Sequence, residues 1–138
     1  MAYVMIVEDD EDFAIATAVI LRREGHEVAV HSDTAAALTE MQRRPPDMVV
    51  LDAMFPRDDF AGFELARAMN ESSNLNRIPI LMLTGINRQL DLSLDNRDTD
   101  NSWLPVAEFM TKPVDPEALL RTVKSLLQKA GPRAHRSV

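Results

Sequence analysis

Five short apolar runs, each stopped by a polar or charged residue, constrain the fold of this chain more than any other feature. They occupy residues 3–7, 27–31, 47–52, 78–83 and 106–110. Such short runs read as strands, the first, 3–7, as one buried on both faces. Helical segments alternate with them, and no hairpin turn joins one run to the next. That pattern specifies a parallel sheet with helices on both sides. The first helix is expected over 12–24, with Phe13, Ala16, Ile20 and Leu21 on one stripe and Gly25 as its stop. Ser32 or Asp33 caps a second helix through about Arg44, closed by Pro45 and Pro46. A loop with Pro56 and Gly62 leads to a third near 63–71. The last opens on Asp115, Pro116 and Glu117 and carries a stripe of Leu119, Leu120, Val123, Leu126 and Leu127. The exception is 86–104, where Asp91, Asp95, Asn96, Asp98, Asp100 and Asn101 make a poor helix interior.

Several function classes fall away on composition. The chain has 138 residues, 46% of them hydrophobic, which suits one domain with one core. With no cysteine and only His26, His31 and His135, scattered, neither a disulfide framework nor a zinc site is expected. The longest apolar run, 14–21, is far too short for a membrane span. Acids appear by Glu8 without a preceding basic segment, so no signal peptide is read and the expected compartment is the cytoplasm. A formal charge of −7 disfavours direct binding to nucleic acid or anionic membrane. The acids are also concentrated: residues 1–111 hold 20 acids and 9 bases, net −11, and residues 112–138 hold 2 and 6, net +4.

In a parallel sheet of this kind ligands bind beyond the carboxyl ends of the strands. Those ends carry Glu8, Asp9 and Asp10, then Asp52, then Thr84, then Lys112. Carboxylates gathered there repel one another unless a cation compensates, and Mg²⁺ suits a few carboxylates plus water. An aspartate, a divalent metal, a lysine and a hydroxyl together are the components of phosphoryl transfer to a carboxylate.

Over roughly residues 1–129 the chain resembles the receiver domains of bacterial two-component response regulators. The resemblance rests on Glu8-Asp9-Asp10 after Val7, Asp52 after Val50-Leu51, Pro56 with Gly62, Thr84-Gly85 after Leu83, and Phe109-Met110-Thr111-Lys112-Pro113. It implies a flavodoxin-like doubly wound sheet of order 2-1-3-4-5, with residues 130–138 as a basic tail. It also implies a stand-alone switch, not an enzyme, in which Asp52 accepts a phosphoryl group from a histidine kinase or phosphotransfer protein. Glu8, Asp9, Asp52 and the backbone carbonyl of Met54 would hold Mg²⁺. Thr84 and Lys112 would contact the phosphoryl group, Phe109 would be the switch aromatic, and a cis bond would precede Pro113. The output would be an unknown downstream protein, and the oligomeric state is left open.

Two departures from the family stand out. The Asp52–Gly62 loop, with Arg57, Asp58 and Asp59, and the Thr84–Lys112 interval are both longer than usual. The second falls on 86–104, so an atypical output face around Trp103 is expected where the family places its fourth helix. Met54 and Ile86 are apolar where the family often has polar groups near the attacking water, which points to slow autodephosphorylation. The alternatives are a pseudo-receiver that never takes phosphate and a magnesium-dependent phosphatase with an aspartyl nucleophile. The phosphatase would need a general acid two residues beyond Asp52, and Met54 cannot transfer a proton.

Overall fold

The computed structural model describes residues 2–53, 60–85 and 106–130. Five strands, β1 (Tyr3–Val7), β2 (Glu27–His31), β3 (Met48–Asp52), β4 (Ile80–Thr84) and β5 (Glu108–Thr111), form one sheet. Every pairing is parallel and the order is β2-β1-β3-β4-β5, as the resemblance implied. Four described helices connect or follow them: α1 (Glu11–Arg23), α2 (Thr34–Arg43), α3 (Ala61–Glu71) and α4 (Pro116–Ala130).

The central strands β1, β3 and β4 are almost wholly buried because both faces are covered, whereas the edge strands β2 and β5 carry polar residues and are partly exposed. The period-2 alternation sorts the buried side chains into two cores. Met5, Val7, Val49, Leu51, Ile80 and Met82 face α2 and α3, packing with Ala37, Met41, Phe63, Ala66 and Met69. Val4, Ile6, Met48, Val50, Leu81 and Leu83 face α1 and α4, packing with Ala14, Ala18, Leu21, Leu119, Val123 and Leu126. Both cores are continuous through the centre of the sheet.

Local signals set the helix ends. The Asp10 carboxylate caps α1 by accepting from the Phe13 N–H at 3.1 Å, and Glu11 and Asp12 follow in the first turn. Asp33, not Ser32, caps α2 through the Ala36 N–H at 2.8 Å. Asp115 caps α4 through the Ala118 N–H at 3.0 Å. Gly25, with φ 92°, takes the left-handed conformation just past the end of α1. The Lys112–Pro113 bond is cis.

Several boundaries differ from the sequence expectation: β3 begins at Met48 and not 47, β5 at Glu108 and not 106, α1 at Glu11 and not 12, and three further differences have a clear cause. Strand β4 begins at Ile80, not 78, because Pro79 has no N–H to give the ladder, although its carbonyl accepts from Val49 at 3.0 Å. Strand β5 runs to Thr111, one residue further than expected, because Thr111 lies opposite Thr84 in the parallel register. Helix α3 begins at Ala61 and thus contains Gly62 in its first turn. Residues 86–104, including Trp103, and the 130–138 tail beyond Ala130 lie outside the described residues.

Gly62 sets how closely α3 meets the sheet. A Cβ there would stand 2.4 Å from the carbonyl oxygen of Asp52 and 2.8 Å from that of Ala53. Both obstacles are backbone, so neither can swing aside. Gly62→Ala is expected to destabilise the domain by about 1–3 kcal/mol through overpacking. Gly85→Ala, where nothing among the described residues lies within 4 Å of an added Cβ and φ is not positive, should stay within about 0.5 kcal/mol. Urea unfolding of the two variants measures the contrast; equal losses would mean that α3 does not depend on the close approach.

Candidate functional site

The chain leaves β1 in one direction to make β2 and returns on the other side of β1 to make β3. That reversal opens a crevice at the carboxyl ends of β1 and β3, where doubly wound sheets bind ligands. The ladder continues past the strands there. Glu8 N–H donates to His31 O at 2.9 Å, Ala53 N–H to Leu83 O at 2.9 Å, and Lys112 N–H to Thr84 O at 2.8 Å. The backbone of the polar residues at this rim is therefore held by the sheet itself.

Three carboxylates meet in the crevice. Glu8, Asp9 and Asp52 can each offer an oxygen, all within 4.8 Å of one another. Glu8 and Asp52 are buried, and Asp9 is half-buried. Lys112 reaches in from the end of β5, its Nζ lying 3.0 Å from Glu8 Oε1 and 3.4 Å from Asp52 Oδ1. Glu8 Oε2 accepts from the Asp10 N–H at 3.2 Å. The same ammonium stands over the Phe13 ring, 4.5 Å from its centroid. One cation thus serves two buried acids with a third beside them.

The titration of these groups follows from that imbalance. Burial, then the Asp52 charge, push the Glu8 carboxyl up to about 7, although Lys112 and the Asp10 N–H pull the other way. Burial alone would lower the Lys112 ammonium, but its ion pairs with Glu8 and Asp52 outweigh it and hold the pKa above the ordinary lysine value. The donor set contains only oxygen, with no histidine or thiolate, and suits a hard divalent cation. Among the described residues, three acids stand against one ammonium, a negative excess that such a cation would neutralise, so these residues fit Mg²⁺.

Thr84 ends β4 next to Leu83, the register partner of Asp52, and is buried. Its hydroxyl has no hydrogen-bond partner among the described residues. Phe109 lies in β5 opposite Met82 and is partly buried against the α2–α3 core. The structure therefore brings Glu8, Asp9, Asp52 and Lys112 together, with Thr84 on the adjoining strand end. Met54, Arg57, Asp58, Asp59 and Ile86 lie outside the described residues. Sequence reading placed Phe13 only on a helical stripe and missed its contact with Lys112. No local pattern signals that contact, because it joins the first turn of α1 to the end of β5.

An acid crevice at the β1–β3 switch point, faced by a lysine just past β5, sits on a doubly wound parallel sheet. The chain belongs to the response regulator receiver domain family, which residues 4–124 match. It is 30% identical over 131 residues to the sensory transduction protein RegX3 of Mycobacterium tuberculosis, covering 95% of this chain and 53% of that protein. It is 25% identical over 130 residues to protein PilH of Pseudomonas aeruginosa, covering 92% of this chain and 98% of PilH. The chain thus spans about half the length of RegX3. Among solved structures, it resembles the signal receiver domain of a histidine kinase from Syntrophus aciditrophicus, with TM-score 0.78 and 26% identity over 94% of this chain and 92% of that one. The receiver domain of NtrX from Brucella abortus, 22% identical with TM-score 0.77 over 91% and 98% of the two chains, shares the fold. Receiver domains are mostly regulatory switches in two-component systems that interact with histidine kinases and downstream effectors. No helix among the described residues is long and apolar enough to cross a membrane.

The Glu8 shift gives a stability prediction with a definite sign. Its pKa in the folded protein, about 7, lies above the ordinary value of 4.5. The unfolded chain therefore loses that proton first, and the stabilising contribution present at low pH disappears as pH rises toward and through 7. Glu8→Gln mimics the protonated acid. Without divalent cations, wild type and Glu8→Gln should have similar urea midpoints near pH 5. At pH 8 the variant should be the more stable by roughly 1–3 kcal/mol. A gap that is the same at both pH values would contradict the raised pKa.

Proposed function

We propose that this domain is a phosphoacceptor switch of a two-component system, in which Asp52 receives a phosphoryl group from a histidine kinase or phosphotransfer protein. The observation that carries this reading is Asp52 buried at the switch point within reach of Lys112, Glu8 and Asp9. In the transfer, an Asp52 carboxylate oxygen forms the new O–P bond while the P–N bond to the donor histidine breaks. Lys112, 3.4 Å from the Asp52 carboxylate, would offset the repulsion between an anionic donor and an acidic crevice. Glu8, Asp9 and Asp52 would hold Mg²⁺, and the Met54 carbonyl is proposed as a further ligand. Bound there, the ion supplies charge neutralisation to the phosphoryl oxygens.

Thr84 fits the same reading. A buried hydroxyl without a partner among the described residues calls for an explanation. A phosphoryl oxygen arriving on the neighbouring strand end would satisfy it. Hydrogen bonds to a charged group contribute roughly 1.5–3 kcal/mol each. Moving a two-state equilibrium from 1:99 to 99:1 takes about 5.5 kcal/mol, so Thr84, Lys112 and a few backbone donors suffice. Phe109 is proposed as the aromatic that responds. The output would be a change in protein contacts, with no activity on other substrates beyond the domain's own phosphorylation and dephosphorylation.

Intact mass after incubation with acetyl phosphate and Mg²⁺ tests the reading. One phosphoryl adduct is expected in the wild type and none in Asp52→Asn or in the presence of a chelator. Thr84→Ala should still label, about tenfold more slowly or worse. No wild-type adduct, under conditions that label another receiver, would turn the assignment toward a phosphorylation-independent interaction module.

A further inference from the structure

Among the described residues Lys112 has three contacts in the crevice, and two of them are with groups that the proposed function reassigns. Its carboxylate partners, Glu8 and Asp52, are a proposed ligand of the cation and the proposed acceptor of the phosphoryl group. When a divalent cation draws those oxygens, it also repels the ammonium. A lysine side chain is a point charge on a flexible four-carbon stem, so weakened ion pairs would leave it free to swing into solvent. The side chain is about 25% exposed, so solvent is within reach.

The third contact does not change hands. The Phe13 ring centroid lies 4.5 Å from Nζ, within the range at which an aromatic face attracts an ammonium. The ring carries no formal charge, so it does not bind the cation and loses nothing when the carboxylates do. Its own position is fixed on three sides. The Phe13 N–H is capped by Asp10 Oδ1 at 3.1 Å. Its carbonyl accepts from the hydroxyl of the buried Thr17 at 2.8 Å. The side chain packs, partly buried, against the α1–α4 core.

We infer that Phe13 is a positioning residue for Lys112, holding the ammonium at the mouth of the crevice while Glu8 and Asp52 engage the cation and the phosphoryl group. The inference rests on the phosphoacceptor reading for its consequence, though not for the contact itself. Phe13 touches neither substrate nor cation; it acts through the lysine. An ordinary core phenylalanine would instead be replaceable by any apolar side chain of similar bulk.

The test compares Phe13→Leu, which keeps the bulk without the ring, with Phe13→Tyr, which keeps the ring face. With saturating acetyl phosphate and Mg²⁺, the labelling rate of Phe13→Leu should fall about three- to tenfold, and Phe13→Tyr should restore it. Urea midpoints of both variants identify any loss that comes from unfolding. Independently, NMR of the Lys112 side-chain methylenes should show an upfield ring-current shift in the wild type. That shift should persist on adding Mg²⁺ and vanish in Phe13→Leu. Leu labelling as fast as wild type, Tyr failing as Leu does, or a shift lost on adding Mg²⁺ would each overturn the inference. A wild type that takes no phosphate overturns the phosphoacceptor reading instead, and the NMR comparison still decides whether the ring holds the ammonium.

Discussion

A single lysine ammonium set between two buried carboxylates is the contact on which the rest of this crevice depends. Glu8 and Asp52 are each almost wholly withdrawn from water, and like charges so close cannot both stay ionised in a low-dielectric site without a cation. Lys112 supplies that cation at 3.0 and 3.4 Å. It comes from the far end of the sheet, so the pocket exists only once β5 has paired with β4. The lysine N–H is itself tied to Thr84 O, which makes the ion pair a product of strand register and not of side-chain chance.

Helix placement then shapes what the strands bring together. The first turn of α3 lies directly against the carbonyls of Asp52 and Ala53, an approach that only glycine at 62 permits. On the other side, the Asp10 cap starts α1 immediately beyond the acid pair and puts Phe13 one turn in, under the Lys112 ammonium. The same carboxylate run therefore has two separate uses. Glu8 and Asp9 face the crevice cluster, and Asp10 orders the helix that carries the aromatic face.

The frame of this molecule was legible because a parallel sheet covered on both faces leaves an unmistakable pattern, apolar strands that stop at polar residues. The end of β3 at Asp52 and the cap at Asp115 could be read directly, whereas the cap of α2 could be narrowed only to Ser32 or Asp33. Strand order could not be derived from periodicity; it came with the resemblance and the structure agrees. Where the reading slipped, pairing or packing had overridden composition. Ile78 is apolar and buried yet precedes β4, because Pro79 breaks the ladder's donor row. Helix α3 starts earlier than its apolar stripe suggests, because Gly62 is there for close approach and not as a loop residue. The Phe13–Lys112 contact was invisible for a different reason: it joins residues distant in sequence, and each has an ordinary explanation alone.

The crevice is also incompletely satisfied, in a way that ordinary core packing would not tolerate. Glu8 is poised to exchange its proton near pH 7, one ammonium is shared by two acids, and the Thr84 hydroxyl is buried without a partner among the described residues. Each departure costs stability, and together they lie along the carboxyl rim of the sheet. A fold whose two cores are otherwise regular can carry that cost locally. The three shortfalls call for complementary ligands: a cation for the excess acid and an anionic acceptor for the free hydroxyl and the shared lysine. Under the proposed function a divalent metal together with a phosphoryl group would meet all three, and neither alone would. The groups that cost the fold stability along this rim are therefore the same groups that the proposed switch would use.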